Sequence, residues 1–128
     1  MRKDVAKIIG LFLGWRLFLS FLAIVAVNFV PLGYKDRFLG GGAGNYAIAP
    51  GVFSWANFDG EHFLSISIYG YKSLEQAFFP LYPMLISFFS KLLVLNFHPA
   101  LLNSTVIGIV ISNLFNMCIA QIAILLKN

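Results

Sequence analysis

Three apolar runs, over residues 8–30, 78–97 and 102–126, set the pattern of this chain. The first and last each exceed the ~20 residues that a helix needs to cross a bilayer core. Residues 8–30 therefore read as a transmembrane helix. Arg2, Lys3 and Lys7 precede it and place its N-terminus in the cytoplasm by the positive-inside rule. A cleaved signal peptide would carry an apolar region of only ~7–15 residues and end at a small-residue cleavage site. This run is longer and continues into Val30-Pro31-Leu32 without such a site, so an uncleaved anchor is expected. Arg16 lies about two turns inside it. Such a cation either snorkels back to the surface or pairs with an anionic group such as a lipid phosphate.

Residues 31–58 read as an extracytoplasmic loop. Its glycines, Gly40 to Gly42, lack the G-x-x-x-x-G-K-[ST] spacing of a phosphate-binding loop. Residues 59–71 are ambiguous. Leu64, Ile66 and Ile68 alternate with Ser65, Ser67 and Tyr69, the period of a strand. A sheet edge in lipid is forbidden, however. Asp59 is a good helix N-cap, Glu61 suits a first turn, and Gly70 suits a helix end. The expectation is a short amphipathic helix at the outer interface, with Asp59 and His62 on one face. Residues 78–97 open with Pro80 and Pro83, which suit a helix start, and carry Ser87, Ser90 and Lys91 on one side. They either span the bilayer or lie along its outer surface. With two crossings Lys127 lies inside, which the positive-inside rule prefers. The fold class expected is all-α integral membrane, a single unit with two or three transmembrane helices plus juxtamembrane amphipathic helices in the first extracytoplasmic loop.

Composition agrees with that pattern. The chain is 59% hydrophobic and only 11% charged, against about 25% charged in soluble domains. A net charge of +4 is spread as topology signals and forms no basic stripe, so nucleic acid is not an expected partner. One cysteine, Cys118, excludes an internal disulfide and a cysteine-built zinc site. Asn113, Asn116 and Gln121 lie in the last apolar run, where side-chain amides seek partners on other helices. Asn103-Ser-Thr105 matches a glycosylation sequon, but its place near a helix start makes that a chance match.

The chemistry-bearing residues cluster at Asp59, Glu61 and His62. A carboxylate here has the means to act as a general base on a hydroxyl. His62 with a carboxylate could instead bind a divalent metal, although H-E-x-x-H spacing is missing. The third reading is a helix cap with solvated charges.

The surrounding pattern bears on that choice. Residues 55–71, Trp-Ala-Asn-Phe-Asp-Gly-Glu-His-Phe-Leu-Ser-Ile-Ser-Ile-Tyr-Gly-Tyr, are followed by Gln76-Ala-Phe-Phe-Pro-Leu-Tyr-Pro83. Together they resemble the PIG-V-like mannosyltransferases, polytopic C-type glycosyltransferases. The signature of that family looks like W-D-x-x-[HYF]-[FY]-x-x-I-A-x-x-G-Y, then A-F-F-P-L-x-P. Asp59, His62, Phe63, Ile66, Gly70, Tyr71, Ala77, Phe78, Phe79, Pro80, Leu81 and Pro83 match it. The Gly40–Gly42 loop and a first span carrying Arg16 also look like bacterial members. Phe58 stands where the family has tryptophan, and Ser67 where it has alanine. Such enzymes have many more membrane helices, so this chain looks like the N-terminal portion of one, without activity by itself.

The resemblance implies inverting transfer of a sugar, a mannose by family, from a polyprenyl-phosphate donor to an acceptor hydroxyl on the extracytoplasmic side. It implies catalytic roles for Asp59, as general base, and for His62, which would orient Asp59 or bind a sugar or phosphate oxygen. Arg16, Glu61, Tyr71 and Tyr82 are the expected substrate-binding residues. No cofactor is implied beyond the lipid-linked donor, no metal ligand is assigned, and metal dependence stays open. The implied partners are membrane lipid, the polyprenyl-phosphate sugar, and further helices of the enzyme or of another membrane protein. The alternative is a small non-catalytic membrane protein, or a truncated fragment, that docks on other helices through Asn113, Asn116 and Gln121.

Overall fold

The computed structural model describes residues 2–30, 43–93 and 100–125, and all regular structure among them is helical. Two long helices frame it: α1 (Arg2–Phe29) and α6 (Ala100–Leu125). Between them lie α2 (Ala43–Tyr46), α3 (Pro50–Phe53), α4 (Asp59–Tyr69) and α5 (Leu81–Leu92), with 3₁₀ turns at Ser54–Ala56 and Glu75–Ala77. The glycines at 40–42, the cations Lys35 and Arg37, and Lys127 lie outside the described residues.

Val5–Phe29 and Ala100–Ile122 are long and apolar enough to cross a membrane. At 1.5 Å per residue, α1 and α6 are about 42 and 39 Å long. Helix α5 has 12 residues, about 18 Å, which is too short to cross a ~30 Å hydrocarbon core. Helices α1 and α6 run antiparallel. Val5, Ile8, Ile9 and Phe12 at the start of α1 face Met117, Ala120 and Gln121 near the end of α6. Toward the other end of α1, Ile24 packs on Gly51 of α3. Helix α3 in turn reaches the start of α6 through Phe53, Leu101 and Leu102.

Two adjoining apolar clusters hold the short helices. Tyr46, Phe53, Ala56 and Leu64 form the first, and Ile86, Ile107 and Ile111 form the second. The segment expected as a loop up to residue 58 is therefore folded from Ala43 onward. Pro50 starts α3 with its φ already set, and Phe53 is fully buried three residues later.

Helix α4 is packed on several sides. Leu64, Ser65, Ile66 and Ser67 are all buried. Four consecutive helical residues point in four directions about 100° apart, so the middle of α4 has no outward face. It is wedged against α5 and α6. The alternation that resembled a strand serves this packing. The serines are small enough for close approach, and the Ser67 hydroxyl donates to its own helix at Leu64 O, 2.9 Å away. Gly70 ends α4 as expected, at φ +79° with its N–H bonded to Ile66 O. The start differs from expectation. Phe58 occupies the N-cap position, and Asp59 is the first helical residue.

Helices α5 and α6 come into close contact at Gly108. The Tyr82 hydroxyl donates to Gly108 O over 2.9 Å, and a Cβ on Gly108 would lie 3.2 Å from both that hydroxyl and Ile86 Cδ1. Further along α6, the Asn113 and Asn116 amides donate to Ile109 O and Ser112 O of their own helix. The residues of the sequon, Asn103, Ser104 and Thr105, are buried, so that site is closed to glycosylation in this fold.

The close approach at Gly108 yields a test. Gly108→Val overpacks the α5–α6 contact and costs about 1–3 kcal/mol, which lowers the thermal midpoint in detergent. Gly14→Val on α1, where nothing lies within 4 Å, leaves that midpoint in place.

Candidate functional site

The end of α4 and the turns that follow it fold back on the start of the same helix. Tyr71 donates its hydroxyl to Phe78 O over 2.8 Å and so pins the return. Phe78 then stacks on the His62 ring, with centroids 4.8 Å apart and planes at 24°. Phe63 meets the edges of Phe78 and Tyr82, each at 5.2 Å between centroids. The two halves of the sequence pattern, residues 55–71 and 76–83, are thus one packed unit centred on His62 and Phe63.

The same return buries an acidic residue that the sequence reading passed over. Glu75 is only 6% exposed. A buried glutamate requires partners, and Glu75 has them. Its Oε2 accepts the Lys72 backbone N–H over 2.9 Å, and its own N–H returns to Lys72 O. These are reciprocal bonds of the kind that close a helix N-terminus. The Ser65 hydroxyl of α4 also donates to this carboxylate. His62 Nδ1 lies 3.6 Å from Oε1, a charge contact longer than a hydrogen bond, and 53% of the His62 side chain stays exposed. Burial pushes the Glu75 carboxyl up, but the Lys72 N–H, the Ser65 hydroxyl, His62 and the Lys72 charge outweigh it and hold it below the ordinary glutamate value.

Backbone strain marks the same place. Phe58 sits at φ +59°, ψ −123° and Leu74 at φ +72°, ψ −6°. These are the non-glycine residues with positive φ among those described. Such conformations cost of order 1–3 kcal/mol each and persist only where packing over-determines them. Phe58 immediately precedes Asp59, and Leu74 immediately precedes Glu75. Both strained side chains are 89% exposed, so two apolar prongs flank the acidic residues.

The sequence-derived candidates divide accordingly. His62 is central. Asp59 is exposed in the first turn of α4 and has no ion-pair partner among the described residues. Glu61 is half-buried beside it. The hydroxyls of Tyr71 and Tyr82 each bond a backbone carbonyl, so both tyrosines brace the site. Arg16 lies beside one of the short segments: its guanidinium is 5.4 Å from the Phe12 ring centre and 5.8 Å from that of Trp55. No group of three or more metal-ligating side chains occurs among the described residues. Comparison with family models, curated proteins and solved structures yields no match to this chain.

Glu75 gives the site a pH signature. Its carboxyl titrates below its unfolded value, so between the two values the unfolded chain binds more protons and stability rises with pH. The contribution is complete above about pH 4.3, the ordinary glutamate value, and is lost as pH falls through the folded value. In thermal melts across that window, the wild type loses more stability on acidification than Glu75→Gln does. Parallel curves would remove the carboxylate from the packing.

Proposed function

We propose that this chain carries the acceptor-side catalytic region of a membrane glycosyltransferase of the PIG-V-like kind. Transfer runs from a polyprenyl-phosphate sugar to a hydroxyl. One observation carries the reading: the two separated halves of the resembling pattern pack as one unit, with Phe78 stacked on His62 beside an exposed Asp59. A capped interfacial helix with idle charges gives no reason for a buried glutamate beneath that histidine.

Asp59 takes the acceptor proton as the hydroxyl oxygen attacks C1 of the donor sugar. The C1–O bond to phosphate breaks, its electron pair leaves with the polyprenyl phosphate, and the configuration at C1 inverts. The exposed first turn gives the acceptor access to the base. Phe58 and Leu74 offer apolar contact to a lipid-borne substrate at the same rim. The antiparallel pair α1 and α6 supports two crossings, with residues 2–7 and the end of α6 on one side. The cations at 2, 3 and 7 make that side cytoplasmic and leave α2 to α5 toward the outer side. Trp55 reaches Arg16 near the middle of α1, so the link between α3 and α4 dips into the membrane. The exposed apolar faces of α1 and α6 suit lipid or further helices of the enzyme. In the non-catalytic docking alternative, the Asn113 and Asn116 amides, each with one bond to its own helix, would meet other helices through their remaining donor and oxygen.

The test is transfer from a radiolabelled polyprenyl-phosphate sugar by the complete enzyme in membranes. Asp59→Asn lowers the rate by about 10²–10⁴-fold, the usual worth of a general base, at unchanged expression. Wild-type turnover by Asp59→Asn would remove Asp59 from the mechanism.

A further inference from the structure

The Glu75 carboxylate sits beneath the one imidazole of the site and approaches a single edge of it. Oε1 faces Nδ1 at 3.6 Å. One face of the ring is covered by Phe78, and about half of the side chain remains open. Glu75 itself has little freedom. Lys72 N–H holds Oε2, Ser65 of α4 donates to the same carboxylate, and the left-handed Leu74 sets the turn that brings it inward. The carboxylate is therefore a fixed anion, and the ring is the movable partner.

We propose that Glu75 is a positioning residue: it holds His62 by Nδ1, so that Nε2 is the atom His62 presents to a substrate hydroxyl. A neutral imidazole carries one N–H and one lone pair. An anion beside Nδ1 draws the proton to that nitrogen and leaves the lone pair on Nε2, as carboxylates do for histidines that must act through the opposite nitrogen. A 3.6 Å contact needs only a few tenths of an ångström to become a hydrogen bond, and such contacts tighten when substrate closes a site.

The ligand chemistry follows. A nitrogen lone pair accepts from O–H. It repels an unprotonated phosphate oxygen. His62 therefore recognises a hydroxyl of the sugar or of the acceptor alcohol and leaves the donor phosphate to other groups. Asp59 lies three residues earlier on the same face of α4, and Glu75 meets the ring at Nδ1. This assignment of His62 to a substrate hydroxyl rests on the transferase reading above. The pairing of Glu75 with Nδ1 does not.

The experiment reads the ring directly. The full chain, labelled with ¹⁵N-histidine and carrying His98→Gln so that one of its two histidines remains, is placed in lipid nanodiscs at mildly alkaline pH. Two-bond nitrogen–proton correlations report which ring nitrogen is protonated. The expected result is a dominant Nδ1–H tautomer in the parent and loss of that dominance in Glu75→Ala, with a shift toward the Nε2–H form that free imidazoles prefer. A dominant Nε2–H tautomer in the parent overturns the proposal without recourse to any variant. So does an Nδ1–H tautomer that survives Glu75→Ala. The spectrum is independent of turnover. Wild-type transfer by Asp59→Asn in the complete enzyme, together with a protonated Nδ1 here, would sink the transferase reading and leave the pairing intact.

Discussion

A carboxylate taken out of water must find donors on every side, and the fold around Glu75 is arranged to supply them. The donors come from two places in the chain, Lys72 on the same turn and Ser65 on α4, with the His62 ring in charge contact beside them. Satisfying one anion therefore fixes how the segment after α4 returns across it. Tyr71 and Phe78 reinforce that return with a hydroxyl-to-carbonyl bond and a ring stack. Phe63 and Tyr82 extend the contact into α5, and Tyr82 with Gly108 extends it into α6. The strain at Leu74 is tolerated because this network outweighs it.

The membrane-grade part of the structure was largely legible in the sequence. Helices α1 and α6 follow from the length of their apolar runs, and Gly70 marks the end of α4 because only glycine accepts its φ easily. What the sequence did not disclose depends on tertiary partners. The alternation Leu64-Ser65-Ile66-Ser67 has the period of a strand, and only the ban on sheet edges in lipid and the helix-end residues Asp59 and Gly70 pointed to a helix. In the structure every side of it meets something, because α5 and α6 pack against it and the serines fill close contacts. The loop before α4 was read as open for a similar reason: four-residue helices such as α3 carry too little periodicity to be recognised, and Phe53 is buried by the start of α6 rather than by its own segment.

The site was half legible. His62 and Asp59 stood out as rare polar residues in an apolar chain. Glu75 did not, since an isolated glutamate in a short linker between two helical runs looks solvated. The available signal was its spacing: a glutamate three residues after Lys72 can return to the backbone N–H of Lys72 and close a turn. Phe58 also displaced Asp59 from the cap. A phenylalanine in a glycine-like conformation is not predictable from propensity. Its presence at the cap leaves the Asp59 carboxylate exposed in the first turn of α4.

The most direct measurement of the account is a double-mutant cycle between His62 and Glu75, read as unfolding free energy in detergent near neutral pH. The account predicts that His62→Gln and Glu75→Gln are non-additive, with a coupling of about 0.5–3 kcal/mol, the range for residues in one polar network. Additive losses would contradict it, because a glutamate that does not sense the histidine cannot be what joins the two halves of the site.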